Sequence, residues 1–141
     1  GKREGPPLKQ HFCIFSGGGI LKKEILRLST KFVHFHPGIV PNYRGSTCFY
    51  YSILNDDECG VTAFIMKEGL DVGDVICKKS FKKPNHIYVD TVYDPHIRSE
   101  TLVEVLKKNL LSNDFEKQKS EGETYYIIHP ILKHIAILSC E

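Results

Sequence analysis

The sequence lacks any long apolar run. None of its hydrophobic stretches approaches the roughly 20 residues that a helix needs to cross a bilayer. No positively charged segment followed by an apolar one opens the chain, as a secretory leader would. We therefore expect no association with a membrane and a cytoplasmic protein.

The sequence also lacks the closely spaced cysteine pairs of zinc ribbons and redox motifs. It has five cysteines, an odd number, and no two of them form a CxxC pair. This pattern favours free thiols in a reducing compartment over a disulfide framework. Cys13, Cys59 and Cys77 lie in or beside apolar runs, where a free cysteine behaves as a small buried hydrophobe.

The sequence also lacks a strong net charge. The formal net charge is +2, with 26% charged and 41% hydrophobic residues. This balance is typical of a globular domain and gives no electrostatic indication of nucleic-acid binding. We interpret residues 11–141 as one domain. Residues 1–10 are polar with two prolines and are interpreted as an arm, a linker or an expression remnant.

What the chain does contain is an alternation of short apolar strands and helical segments. The predicted strands are 11–15, 32–35, 60–66 and 75–81, with a further extended segment at 86–92. The predicted helices are 20–28, 46–54 with an N-cap at or near Ser46, 99–111 with Ser99 as N-cap, and a last one from Pro130. The polar segment 113–123 is expected to be a mobile loop. This alternation indicates an α/β fold.

Two histidines stand at the end of the second predicted strand. His34 and His36 are two residues apart and so face the same side of that strand, and Pro37-Gly38 ends it. Open α/β sheets bind ligands beyond the carboxyl ends of their strands, so the two imidazoles could share a substrate atom. Taken alone, such a pair is more often hydrogen-bonded or solvent-facing and without a role.

Two other kinds of site use the same residues. His34 and His36 could supply two ligands of a metal ion, with Cys48 or Asp71 as the third. Catalytic zinc sites need three protein ligands, and no spacing marks the third one, so we assign no metal. Cys48 could stand at a helix start as a nucleophile beside a histidine, but nothing else in the sequence singles it out.

The two segments HFHPGIVPNYRGSTCFYYSIL and CGVTAFIMKEGLDVGDVI contain an ordered series of motifs. The motifs are His36-Pro37, Pro41, Tyr43-Arg44-Gly45, Gly60-Val61-Thr62 and Leu70-Asp71-Val72-Gly73-Asp74. The series resembles the formyltransferase family, whose pattern is Asn-x-His-Pro-Ser-Leu-Leu-Pro-x-Tyr-Arg-Gly, then a Gly-Val-Thr strand and a Leu-Asp-x-Gly-Asp loop. Members of that family include methionyl-tRNA formyltransferase and glycinamide ribonucleotide transformylase. The resemblance covers about residues 11–82.

The resemblance implies a fold and two catalytic residues. The fold is Rossmann-like, a mostly parallel sheet with flanking helices, truncated at its N-terminus because the chain starts where the family's fourth strand would begin. His36 matches the family's catalytic histidine and Asp71 its catalytic aspartate. His34 takes the place of the usual asparagine in the catalytic group, and Gly38 replaces a serine. Formyl transfer to an amine passes through a tetrahedral oxyanion, which a protonated His36 beside Asp71 could stabilise.

The resemblance also implies the formyl donor, 10-formyltetrahydrofolate. The main chain of two loops would hold its pterin: Gly17, Gly18, Gly19, Ile20 and Leu21 in the first, and Met66, Gly69 and Leu70 in the second. Tyr43 and Arg44 would support the loop that presents His36, and Arg44 could pair with a carboxylate.

The acceptor is expected to be small. The chain has no room for the tRNA-directing domain of methionyl-tRNA formyltransferase, so we expect an amine on an amino sugar or nucleotide and no nucleic acid. A homodimer could complete the fold. Two alternatives stay open: a hydrolase that releases formate from 10-formyltetrahydrofolate on the same scaffold, and a non-catalytic fragment that binds folate or a partner.

Overall fold

The computed structural model of the chain describes residues 10–16, 19–119 and 121–141. The strands in this part of the chain are β1 (Phe12–Ile14), β2 (Lys31–His36), β3 (Arg44–Gly45), β4 (Glu58–Ile65), β5 (Val75–Lys82) and β6 (Thr124–Tyr125). The α-helices are α1 (Lys23–Leu26), α2 (Cys48–Asp56), α3 (Asp94–Lys107) and α4 (Pro130–Leu138). A π-helical turn covers Val89–Tyr93, and a 3-10 turn covers Leu110–Ser112. The α/β class is confirmed.

Four of the strands form one sheet in the order β1-β2-β4-β5. β1 and β2 run parallel, whereas β4 is antiparallel to both β2 and β5. The sheet is therefore mixed, where the sequence led us to expect a mostly parallel one. The connection from β4 to β5 is only residues 66–74, which is too short for the crossover of a dozen or more residues that parallel neighbours require.

β4 lies at the centre of the core. It is buried along its length from Cys59 to Ile65, since β2 and β5 pair with its two edges and helices pack on it. A strand buried on both faces is nearly all apolar rather than alternating, as CGVTAFI is apart from Thr62. α2 and α3 pack on this strand, and α4 packs on α2. The core is continued by Ile97 and Val105 of α3, which are 1% exposed.

Several predicted elements have other bounds. α1 is shorter than the predicted 20–28, because Ile20 and Leu28 are 93% and 60% exposed and so add no packing to stabilise a longer helix. Instead of an extended segment at 86–92, the chain forms the π-helical turn, whose Val89 is fully buried. Val89 is thus buried by packing against distant residues, and the sequence pattern does not show which conformation that packing selects.

The helix starts were predicted with mixed success. α4 begins with Pro130 in its first turn, as predicted. α2 begins after Thr47, which has a left-handed backbone (φ 54°) and makes no side-chain cap bond. α3 begins at Asp94, so Ser99 as N-cap is wrong. A proline in the first helical turn loses no hydrogen bond, so Asp94-Pro95 can start this helix.

Two further expectations concern exposure and mobility. Cys13 is exposed because β1 is the edge strand of the described sheet, whereas Cys59 is buried and Cys77 is half-buried. The segment 113–123 is tied to the sheet by reciprocal main-chain hydrogen bonds between Glu116 and Val75 of β5. None of the helices in the described part of the chain is long and apolar enough to span a membrane.

Candidate active site

β2 brings both histidines to one face of the sheet. His34 pairs with Phe64 of β4 and His36 with Thr62, and the two imidazole centroids are 6.2 Å apart. The Phe64 ring lies between 5.7 and 6.4 Å from both of them. His34 is half-buried, and His36 is 2% exposed. The period of two in a strand therefore places these side chains together, as predicted.

The imidazole of His36 is held by the main chain on one side and faces a carboxylate on the other. Its Nε2 donates a hydrogen bond to the carbonyl oxygen of Tyr43 at 2.8 Å, and its Nδ1 lies 3.6 Å from Oδ2 of Asp71. A carbonyl oxygen only accepts, so Nε2 carries the hydrogen. In the neutral ring, Nδ1 therefore directs a lone pair toward Asp71.

Burial decides the protonation of this ring. It lowers the pKa of His36 below its ordinary value, because a buried imidazolium loses its hydration; Asp71 opposes the shift and the nearby His34 adds to it. The sequence led us to expect that Asp71 would keep His36 protonated. Burial acts against that expectation, because it favours the neutral ring, whose Nδ1 can take up a proton.

Asp71 reaches the histidine from a tight loop between β4 and β5. Its backbone is left-handed (φ 49°), and its Oδ2 accepts the main-chain N–H of Gly45 at 2.6 Å. The amide nitrogen of Gln118 donates to the carbonyl oxygens of Asp71 and Gly73 at 3.1 and 3.2 Å. Residues 11–82 contain both catalytic candidates, but Gln118, which lies outside that range, also holds the loop that carries Asp71.

The turn that follows His36 is hydrogen-bonded to β4. The Thr62 hydroxyl donates to the carbonyl oxygen of Gly38 at 2.6 Å and accepts the N–H of Val40 at 3.1 Å. Thr62 is fully buried, so these bonds are shielded from water. The packing is close at Gly38, where a Cβ would lie 3.0 Å from Nε2 of His36. A side chain at this position, where the family pattern has serine, would crowd both His36 and Tyr43 as they are placed here.

Tyr43 and Arg44, predicted to support the loop, both make side-chain hydrogen bonds. The Tyr43 hydroxyl donates to Asp56 at 2.5 Å, and burial together with this bond raises its pKa to about 12. The Arg44 guanidinium donates to the side-chain oxygen of Gln118 and to the carbonyl oxygen of Lys119, both at 2.6 Å. Arg44 thereby links the His36 loop to the residue that fixes the Asp71 loop.

An open cleft of about 820 Å³ lies in front of these side chains. Its size is that of a typical small-molecule site. Both loops predicted to hold the folate line it, and so do the three predicted catalytic side chains. The predicted residues in its lining are Gly19, Ile20, Leu21, His34, His36, Met66, Gly69, Leu70 and Asp71. Gly17 and Gly18 lie outside the described residues.

The surroundings of Cys48 do not suit a nucleophilic cysteine. Cys48 is buried, and its Sγ donates to the carbonyl oxygen of Gly45 at 3.5 Å. Burial and the neighbouring Asp71 carboxylate raise the pKa of this thiol to about 12. A nucleophilic cysteine needs a lowered pKa, so Cys48 is a core residue.

Two residues that hold the site were not predicted from the sequence. Gln118 lies in the polar segment expected to be mobile, and no pattern distinguishes it from its neighbours. Thr62 belongs to the Gly60-Val61-Thr62 motif, where a polar residue inside an apolar strand was a usable signal. A buried hydroxyl needs hydrogen-bond partners, and the Gly38–Val40 turn provides them.

The comparisons with known proteins agree with this architecture. A family model described as "Formyl transferase" matches residues 12–104, about two thirds of the chain. The chain therefore belongs to the formyl transferase family. Methionyl-tRNA formyltransferase of Caldanaerobacter subterraneus is 35% identical over 116 residues, which are 77% of this chain and 37% of that protein.

Solved structures show the same fold. Methionyl-tRNA formyltransferase from Clostridium thermocellum superposes with a TM-score of 0.66 at 21% identity, over 86% of this chain and 53% of that one. The formyltransferase PseJ from Anoxybacillus kamchatkensis, in complex with UDP-4,6-dideoxy-4-formamido-L-AltNAc and tetrahydrofolate, gives 0.66 at 17% identity, over 89% and 69%. The chain spans only part of each of these two proteins.

The relatives correct one expectation. We expected a small-molecule amine and no nucleic acid, yet the curated relatives include methionyl-tRNA formyltransferases, which act on a charged tRNA. A net charge of +2 and the lack of room for a tRNA-directing domain do not decide the matter, because the chain spans only 26% and 37% of the length of two such relatives.

Proposed function

We propose that this chain carries the donor site and the catalytic pair of a formyltransferase that moves a formyl group from 10-formyltetrahydrofolate to the amino group of methionyl-tRNA. The observation that carries the proposal is the meeting of His36 Nδ1 and Asp71 Oδ2 at 3.6 Å in the lining of the cleft. The pair comes from two segments 35 residues apart in the sequence, so their meeting is a property of the fold.

The cleft suits a folate donor. Gly19 at one side and Gly69 at the other have positive φ angles of 108° and 125°, which let the main chain approach a flat ring closely. Leu70 is 50% exposed and offers apolar surface in the same cleft. Tetrahydrofolate is present in the PseJ complex, a member of the same fold. We therefore assign the pterin to the space between these two loops.

The hydrogen-bond geometry suggests how the proton moves. The amine attacks the formyl carbon, a carbon–nitrogen bond forms, and the formyl oxygen becomes an oxyanion. The neutral Nδ1 of His36 takes the proton that the amine must lose. The imidazolium that results lies beside Asp71, whose charge offsets the cost of burial. Its Nδ1–H can then donate to the oxyanion. The proton passes to N10 of the folate as the bond between N10 and the formyl carbon breaks and the carbonyl group re-forms.

His34 acts differently from the asparagine of the family pattern. Its Nδ1 lies 3.1 Å from the carbonyl oxygen of Phe15, so that nitrogen carries the hydrogen. A neutral His34 thus presents the lone pair of Nε2, and only a protonated ring can donate to an oxyanion. We infer that His34 contributes to oxyanion stabilisation when it is charged.

The acceptor is assigned from the relatives with the higher sequence identity. Methionyl-tRNA formyltransferases reach 35–39% identity with this chain. Solved sugar formyltransferases are at 17–21% identity, where the likeness supports the fold alone.

The test separates the three possible outcomes by their products. The chain is incubated with 10-formyltetrahydrofolate and methionyl-tRNA, and formylmethionyl-tRNA and free formate are measured separately. We expect formylmethionyl-tRNA, with the rate lowered about 100- to 1000-fold by either His36→Gln or Asp71→Asn. His134→Gln, a change on the exposed side of α4, serves as the control. Formate alone would indicate the hydrolase. Folate binding without turnover would indicate a non-catalytic fragment, and both outcomes contradict the proposal.

A further inference from the structure

His34, His36 and Asp71 are close enough to share one ion. Each offers a ligand atom, and these atoms all lie within 4.8 Å of one another. The two histidines come from one face of β2, and the aspartate comes from the β4–β5 loop. Two imidazoles and one carboxylate are a ligand set that divalent zinc and neighbouring transition metals use, with an open position left for water or substrate.

The outer nitrogen of each imidazole is already fixed. His34 Nδ1 donates to the carbonyl oxygen of Phe15 at 3.1 Å, and His36 Nε2 donates to that of Tyr43 at 2.8 Å. Histidines that bind a metal almost always donate their other ring N–H to a carbonyl or carboxylate in this way. These bonds leave the lone pair on Nε2 of His34 and on Nδ1 of His36, and the latter faces Oδ2 of Asp71. The carboxylate is held in turn by the N–H of Gly45 at 2.6 Å.

This arrangement is electrostatically incomplete. A neutral His36 turns a lone pair, not a hydrogen, toward Oδ2 of Asp71 at 3.6 Å. Two electron-rich atoms at that distance repel each other. A bound cation would turn the same contact into attraction.

The geometry needs only a small closure. Tetrahedral zinc sites have bonds of about 2.0–2.2 Å, so neighbouring ligand atoms lie about 3.4 Å apart. The three ligand atoms span up to 4.8 Å, so an inward movement of roughly 1 Å brings them to zinc geometry. Asp71 lies on a loop and His34 is half-buried, so their side chains can make this movement while His36 stays fixed.

We propose that His34 Nε2, His36 Nδ1 and the Asp71 carboxylate form a binding site for a divalent transition-metal ion, with Zn²⁺ as the ligand to test. The ion would occupy the same nitrogen and carboxylate that formyl transfer uses. If the proposed function holds, Zn²⁺ therefore inhibits transfer. His34 makes the difference from the family pattern, since the amide of an asparagine is a poor ligand for such ions.

Metal binding is measured first, without reference to activity. Zn²⁺ is titrated into the metal-free chain by calorimetry, and Co²⁺ is followed by its visible absorption. We expect one tight ion per chain, about 100-fold weaker affinity in His34→Asn, and no change in His134→Asn on the exposed side of α4. Circular dichroism melting shows whether both variants are folded. Equal affinity in wild type and His34→Asn overturns the site. So does a thiolate charge-transfer band for Co²⁺, which would place the ion on a cysteine instead of on these three ligands.

Activity is the second measurement. In the formyl-transfer assay, Zn²⁺ at saturation should abolish wild-type turnover and a chelator should restore it, while the same Zn²⁺ concentration should inhibit His34→Asn far less. Turnover that persists with the metal bound contradicts the inhibition. Absence of turnover in the metal-free chain contradicts the proposed function alone, because the calorimetric result for the metal site stands separately.

Discussion

At the residue scale, the site depends on one imidazole whose two nitrogens have different surroundings. The Tyr43 carbonyl fixes the hydrogen on Nε2, and burial lowers the pKa of the ring and so favours its neutral form. The neighbouring carboxylate would by itself have had the opposite effect on the pKa of His36, but hydration lost at 2% exposure outweighs it. The same neutrality suits the ring both as a base for an amine and as a metal ligand.

The depressed pKa of His36 predicts how stability depends on pH. The unfolded chain takes up a proton at His36 near pH 6.5, whereas the folded chain takes it up only at lower pH. The unfolded state therefore binds more protons in between. The contribution of His36 is fully present above about pH 6.5 and falls as the pH drops toward the folded pKa, by at most about 1.4 kcal/mol per pH unit.

The measurement is urea unfolding of wild type and His36→Gln between pH 7.5 and 5, in steps. His36→Gln should lose free energy of unfolding less steeply below about pH 6.5 than wild type does. His134→Gln, which alters an exposed histidine on α4, should follow the wild-type curve. Parallel curves for wild type and His36→Gln would show that burial does not depress this pKa.

At the scale of elements, the site is a junction of loops rather than the end of one strand. β3 precedes α2 and pairs with β6, and this pairing sets the position of Gly45, whose N–H holds Asp71. Gly45 has a φ of 100°, and a Cβ there would lie 2.1 Å from the carbonyl oxygen of Tyr125. The close approach of β3 to β6 therefore requires glycine at this position.

We predict that Gly45→Ala costs more stability than a comparable change elsewhere. A positive φ costs a non-glycine residue of order 1–3 kcal/mol, and the clash with Tyr125 adds to it. Gly19→Ala is the matched control, because Gly19 has a φ of 108° but a Cβ there meets nothing within 4 Å. The difference between the two variants in chemical denaturation isolates the clash. Equal losses would mean that β6 does not pack on Gly45 as closely as described.

At the scale of the whole molecule, the cleft is formed by separate parts of the chain. The segment around α1, the end of β2, residues 45–47 and the loop after β4 all line its volume of about 820 Å³. Gln118 is not among the lining residues, but it bonds to the Asp71 loop, and Arg44 bonds to Gln118. A ligand in the cleft would thus contact all of these parts at once.

We predict that a folate ligand stabilises the whole chain. At 100 times its dissociation constant, 5-formyltetrahydrofolate should add about 2.7 kcal/mol, or roughly 5–10 °C in Tm for a chain of this size. Leu70→Asp places a charge in the lining and should remove most of the shift. Leu28→Asp is the control, because Leu28 is 60% exposed and outside the lining. Equal shifts in both variants would place the ligand elsewhere.

The sequence by itself determined the local features. Alternation in FVHFH set both histidines on one face, Pro130 set the start of α4, and the ordered motifs indicated the family and both catalytic candidates. These features depend on neighbours along the chain, so they can be predicted from it. The acceptor was predicted wrongly, because the chain covers only part of its relatives.

The tertiary structure decided what depends on distant partners. The antiparallel course of β4 and β5, the neutral state of His36 and the role of Gln118 all follow from which segments meet in space. Burial and long-range hydrogen bonds leave no periodic trace in the sequence. A glutamine in a polar loop therefore looks the same whether it faces solvent or, as here, fixes the loop that carries Asp71.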